Sequence, residues 1–138
     1  MSSAEPNDTS SARWVAVAAM LGGLAVVAGA FGAHALKARL SPEALAWWQT
    51  AAQYHLIHAV ALFAIALAPS TRIVRPRAYR LARGAFLAGI TIFAGTLYLM
   101  ALTDVRGLGA VTPFGGVGLI FGWVAAAVAF WPAKEKAT

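Results

Sequence analysis

The residues best suited to chemistry in this chain stand close together: Gln49, Gln53, Tyr54, His55 and His58, with His34 upstream. The spacing His55-x-x-His58 suits two imidazoles ligating a metal or haem, with His34 as a third donor. The same imidazoles, with the two glutamines, could pass a proton or hold a polar solute. Two features argue against a common site. His34 belongs to a different segment, and no carboxylate accompanies the histidines. On a wheel of about 100° per residue, Gln49 and Gln53 coincide while His55 and His58 lie nearly opposite, so no single polar stripe lines a pore. The plainer expectation is that these groups hydrogen-bond neighbouring helices and fix their packing. His34, His55 and His58 are the metal-ligating candidates, and the expectation is that they hold neither metal nor other cofactor. The absence of cysteine excludes thiolate ligands, a cysteine nucleophile and disulfides. With no nucleophile–base pair, paired carboxylates or lysine-bearing phosphate loop, the expectation is a protein that is not an enzyme. Thr112-Pro113-Phe114-Gly115-Gly116 does place glycines at a helix start, where an anion can bind. Close packing of that helix end explains the glycines as well.

The elements that carry these residues are apolar runs. Trp14 to Ala33, Trp48 to Ala68, Gly84 to Thr103 and Thr112 to Trp131 lack Asp, Glu, Lys and Arg in their interiors. Each runs about twenty residues, enough at ~1.5 Å per residue to cross the ~30 Å hydrocarbon layer of a bilayer. Charged residues make up only 12% of the chain, roughly half the share a soluble domain needs to cover its surface. The fold expected is therefore all-α: an integral membrane, antiparallel four-helix bundle forming a single domain over residues 13–132. A disordered polar leader over residues 1–12 precedes it, and a cytoplasmic tail over 133–138 follows. Ala33-His34-Ala35 resembles a signal-peptidase site. The apolar run before it is longer than the 7–15 residues of a signal peptide, so an uncleaved first helix is expected.

Local signals sharpen the helix ends. Ser41-Pro42-Glu43 combines an N-cap, a first-position proline and an acid at the positive end of the helix dipole. Helix 2 then starts near Pro42 and places Trp47 and Trp48 in the outer interfacial belt. Pro76 suits a start for helix 3, and Thr112-Pro113 a second cap-plus-proline start for helix 4.

The net charge of +6 reads as membrane topology and not as a nucleic-acid surface, because the basic residues cluster on one side of the spans. Arg13, Arg72, Arg75, Arg77, Arg80, Arg83, Lys134 and Lys136 share one face of a four-span protein, while Lys37, Arg39 and Arg106 occupy the other. The positive-inside rule then puts both termini in the cytoplasm, in a bacterial inner membrane. The loop arginines Arg72, Arg75, Arg77, Arg80 and Arg83 are candidates for binding anionic lipid headgroups or a protein partner.

Small residues recur at alternating spacings of four and three. Gly22, Gly29 and Gly32 fall on such a stripe in helix 1, Gly95 in helix 3, and Gly115, Gly118 and Gly122 in helix 4. Helices in lipid associate where small residues let their backbones approach, so these glycines are the expected packing seams.

Five ordered motifs carry a family resemblance: Ala30-Phe31-Gly32-Ala33-His34, Gln53-Tyr54 with His58-Ala59, Gly95-Thr96-Leu97-Tyr98, Thr112-Pro113-Phe114-Gly115-Gly116 and Gly122-Trp123. From about Trp14 to Trp131 the chain resembles the YgdD-like family of small inner-membrane proteins, a family of unknown function. It departs from the family in having Ala94 where members often have Ser or Gly, and Asp104 where they have Gly. The resemblance implies four membrane helices and no reaction, substrate or cofactor. The function expected is that of an accessory or assembly component of a larger membrane complex. The alternative is a small oligomeric transporter or channel; a metal- or haem-binding protein comes third. The partners expected are the bilayer, anionic lipid, and a larger complex or a homo-oligomer, with no nucleic acid.

Overall fold

The computed structural model describes residues 6–68 and 70–132, so residues 1–5 and the tail at 133–138 lie outside it. Four α-helices follow one another: α1 (Pro6–Phe31), α2 (Pro42–Ala66), α3 (Pro76–Thr103) and α4 (Thr112–Phe130). A π-turn over Gly32–Leu36 ends α1, and short 3-10 turns over Ser70–Arg72 and Arg106–Ala110 lie in the later connections. Among the described residues there is no strand.

Proline and capping chemistry set most boundaries. Ser41 caps α2, its hydroxyl accepting from the amide of Ala44 at 3.2 Å, with Pro42 in the first turn. Arg75, directly before Pro76, is extended (φ −128°, ψ 93°), as the proline ring requires, and α3 starts there. Trp131 is likewise extended before Pro132 and ends α4. Asp104 closes α3 in the left-handed region at φ 55°, its amide returning to the carbonyl of Met100 at 2.9 Å.

Two expectations at helix starts need correction. α1 begins at Pro6, well before Trp14, so residues 6–12 of the expected leader are helical; proline in the first turn suits such a start. Thr112 does start α4 but does not cap it. Its hydroxyl pairs with that of Thr96 at 2.9 Å and reaches back to Leu108 O. The 3-10 turn running into α4 leaves no extended residue there from which to cap.

Each helix packs antiparallel against the one before it. Toward the basic end, Ala18 of α1, Ala61 and Leu62 of α2, Ala82, Phe86 and Ile90 of α3, and Leu119, Ala125 and Ala126 of α4 form one buried cluster. Near the opposite end, Leu36, Ala44, Trp48 and Ala101 form a second cluster, and Ala51, Ala94, Leu97 and Met100 a third. Extensive helix contacts join α1 to α2, α2 to α3 and α3 to α4, while α1 and α4 share no extended interface.

Glycine allows the closest approach, between α3 and α4. A Cβ on Gly115 would lie 2.7 Å from Phe93 Cα, and one on Gly122 would lie 2.7 Å from Phe86 Cδ1. A Cβ on Gly118 would touch Gly89 Cα at 3.4 Å. Gly32 faces Trp48, whose Cδ1 would sit 2.5 Å from an added Cβ. Gly22, Gly29 and Gly95 have nothing within 4 Å, so they lie outside the seams expected of them. The α1 seam runs instead through Ala18, Ala25 and Gly32, seven residues apart. On α3 it runs through Gly89, which the glycine pattern missed. In helices this rich in small residues the spacing fits more than one face. Bulky Phe86 and Ile90 decide which face of α3 turns inward.

Candidate functional site

Ala44, Trp48, Ala51, His55, His58, Leu62 and Ala66 form one buried stripe along α2 at steps of three and four. Both histidines therefore occupy ordinary core positions, interleaved with alanine and leucine. His55 is 8% exposed, and its Nδ1 lies 3.4 Å from Tyr98 Oη on α3, while its Nε2 has no partner among the described residues. His58 is 6% exposed and its Nδ1 lies 2.7 Å from the carbonyl of Tyr54. A carbonyl only accepts, so Nδ1 of His58 carries the proton and donates. Its ring stacks on Tyr54 at 5.7 Å and sits within 6.2 Å of Phe86 and Trp123, which binds α2 to α3 and α4.

Gln49, Gln53 and Tyr54 are exposed on the outside of α2. The structure thus divides the polar residues between two faces, glutamines outward and histidines inward. His34 is exposed in the π-turn, away from both buried histidines. Among the described residues no three His, Cys, Asp or Glu side chains gather to hold a metal ion.

Residues outside the expected set hold the end of the bundle beside this polar region. Trp48 is buried among the helices instead of facing outward. Its indole Nε1 donates to Ala28 O at 2.8 Å, and its ring packs on Tyr98 at 4.6 Å and Phe31 at 6.2 Å. The absent side chain of Gly32 makes room for it. The clue in sequence was that Trp48 shares a stripe with His55, whereas Trp47 does not. Arg106 makes a bidentate pair with Glu43 at 2.8 and 3.3 Å, tying the α3–α4 connection to the start of α2, and its guanidinium lies 5.5 Å from the Trp47 ring. Both partners are more than half exposed, so the pair contributes less than about 1 kcal/mol.

The basic end is equally uneven. Arg72, Arg77 and Arg80 are exposed. Arg75 donates through Nη1 to the carbonyls of Val128 and Trp131 at 2.9 and 3.0 Å, and the amides of Val74 and Arg75 donate to Ala129 O. These bonds satisfy carbonyls that every helix leaves free at its C-terminus. Arg83 is buried inside α3.

The outer faces suit lipid. Met20, Leu24, Val27, Val60, Leu99, Val117, Ile120 and Phe121 are exposed on the helices, a surface that water does not tolerate at this extent. Three segments, Ser10–Leu36, Pro76–Thr103 and Arg106–Phe130, are long and apolar enough to cross a membrane. α2 falls outside that set. It has the length, at 25 residues, but Gln49, Gln53, Tyr54, His55 and His58 dilute its apolar character.

Long apolar helices with lipid-compatible faces define a polytopic membrane protein. The chain belongs to the family described as "Protein of unknown function (DUF423)", whose model matches residues 28–116. It is 40% identical over 106 residues to the UPF0382 membrane protein YwdK of Bacillus subtilis, covering 77% of this chain and 85% of that one. A Staphylococcus epidermidis relative, UPF0382 membrane protein SERP0230, is 41% identical over 77% of this chain and 84% of its own length. The UPF0382 inner membrane protein YgdD of Escherichia coli is 36% identical over 120 residues, 86% of this chain and 89% of that one. The resemblance carried by the five motifs is thereby confirmed. No solved structure matches.

Proposed function

We propose that this protein acts by association, as a non-enzymatic accessory or assembly component of a larger complex in a bacterial inner membrane. The observation that carries the reading is the outer surface of α1 and α2. Gly22 and Gly29 open outward with nothing within 4 Å, and Gln49 and Gln53 are exposed one turn apart on α2. In lipid, small residues admit a neighbouring helix and outward glutamines gain a hydrogen-bonding partner from one. α2 serves as a fourth span on this reading, because it packs along both α1 and α3. Both termini then lie in the cytoplasm with the arginine-rich connection.

The division of glutamines and histidines between opposite faces of α2 counts against transport through one protomer. The test is native mass spectrometry of protein gently extracted from its own membrane, wild type against Gly29→Leu. Loss of a co-purifying partner with an unchanged monomer fold supports the proposal. A wild-type protein that always emerges alone, or a partner indifferent to Gly29→Leu, removes its basis.

A further inference from the structure

At the basic end, where the N-terminal turns of α1 and α3 lie together, a cavity of about 350 Å³ is lined by Ser10, Ser11, Ile73, Pro76, Tyr79, Arg80 and Arg83. Arg83 is only 6% exposed, and so is Tyr79. The Arg83 guanidinium lies between two aromatic rings, 4.9 Å from the centre of Trp14 and 4.3 Å from that of Tyr79. The rings fix its plane and supply cation–π attraction but accept no in-plane hydrogen bond. Arg83 Nε and Tyr79 Oη are both buried without a hydrogen-bond partner among the described residues. The described acidic side chains that form ion pairs, Glu43 and Asp104, lie at the opposite end of the bundle. A buried guanidinium nitrogen without an acceptor is costly, more so than a neutral donor, and Arg83 Nε has none among the described residues. Here it is held rigidly at a cavity that also presents two serines and a second arginine.

We propose that this cavity binds a phosphate-bearing anion, with Arg83 and Tyr79 donating to its oxygens and Arg80, Ser10 and Ser11 completing the cradle. Guanidinium matches phosphate in planar, paired hydrogen bonds, and the positive ends of two parallel helices point the same way. The headgroup of an anionic phospholipid is the occupant the position favours, since the site opens at the end of the membrane helices beside exposed basic residues. Exposed arginines draw any anionic surface without selectivity; the buried pair makes one position selective. This inference does not depend on the accessory role proposed above.

The test uses the full chain in neutral detergent. Thermal unfolding is followed while phosphatidylglycerol, phosphatidylcholine or inorganic phosphate is titrated in. Ligand that binds only the folded state raises the midpoint with concentration. Wild type is expected to be stabilised by phosphatidylglycerol well beyond phosphatidylcholine. Tyr79→Phe, which keeps the ring over Arg83, should weaken the apparent affinity about five- to tenfold. Arg83→Met, with similar bulk and no charge, should fold at least as well without lipid and lose the lipid response, while Arg72→Gln should retain it. A response to inorganic phosphate alone, lost in the same two variants, keeps the site and makes the free anion its ligand. A lipid response equal in wild type, Tyr79→Phe and Arg83→Met, or none to any of the three additives, overturns the proposal.

Discussion

Adding one methyl group at two different glycines should move stability in opposite directions. At Gly115 a new Cβ would lie 2.7 Å from Phe93 Cα and 2.8 Å from Phe93 Cβ, and its nearest neighbour is the Phe93 amide nitrogen. The obstacle is mostly backbone of α3, which cannot rotate away, so α3 and α4 must part by about 1 Å to restore ordinary contact. Overpacking of this kind costs about 1–3 kcal/mol, and the loosened seam also carries Gly118 against Gly89. Replacing glycine by alanine within a helix recovers about 0.5–1 kcal/mol. Gly115→Ala should therefore lose about 1–2 kcal/mol net. Gly22→Ala meets nothing within 4 Å and keeps only the helical gain. Denaturant or thermal unfolding of both variants in one detergent, followed by circular dichroism, reads the difference. Gly115→Ala as stable as Gly22→Ala would mean that α3 and α4 do not meet through this seam.

Other expectations follow from the same contacts. Trp48→Phe keeps an aromatic ring beside Tyr98 but removes the donor to Ala28 O; unfolding should show a loss of about 1–3 kcal/mol because that carbonyl is left in a dry setting. Asp104→Gly should gain up to about 1 kcal/mol in the same assay, since glycine enters the left-handed region without the Cβ clash and the Asp104 pairing to Arg106 at 3.6 Å is solvent-exposed.

That last position shows how a departure from the family pattern can carry structural meaning. The family resemblance implies glycine where this chain has Asp104, and a helix terminator at φ 55° is a backbone conformation that glycine adopts most readily. The helices themselves were legible, because length and apolarity define them almost alone, and Ser41-Pro42 and Pro76 announced their starts. The opposite placement of glutamines and histidines on α2 was legible from the wheel, but which of the two faces is buried was not. What the pattern of residues could not resolve was which of several small-residue faces turns inward. Gly22, Gly29 and Gly89 are chemically the same, and only the bulky side chains across the interface distinguish them. Arg83 was equally opaque. A helix starting at Pro76 puts it on the first turns of α3 beside the other basic residues, but nothing in the spacing shows that it turns inward between Trp14 and Tyr79.

The order of packing has a consequence for how the protein comes into being. Since the extensive contacts all join helices that are neighbours in the chain, a segment leaving the insertion machinery finds a docking surface already in place. No helix need wait for a distant one, and little of the search is long-range, a circumstance that favours rapid assembly. The final step is α4 settling its glycines onto α3, and Arg75 then ties the α2–α3 connection to the end of that last helix. A chain halted before α4 would expose the groove around Gly89 and Phe93 to the bilayer, a recognisable mark of unfinished synthesis.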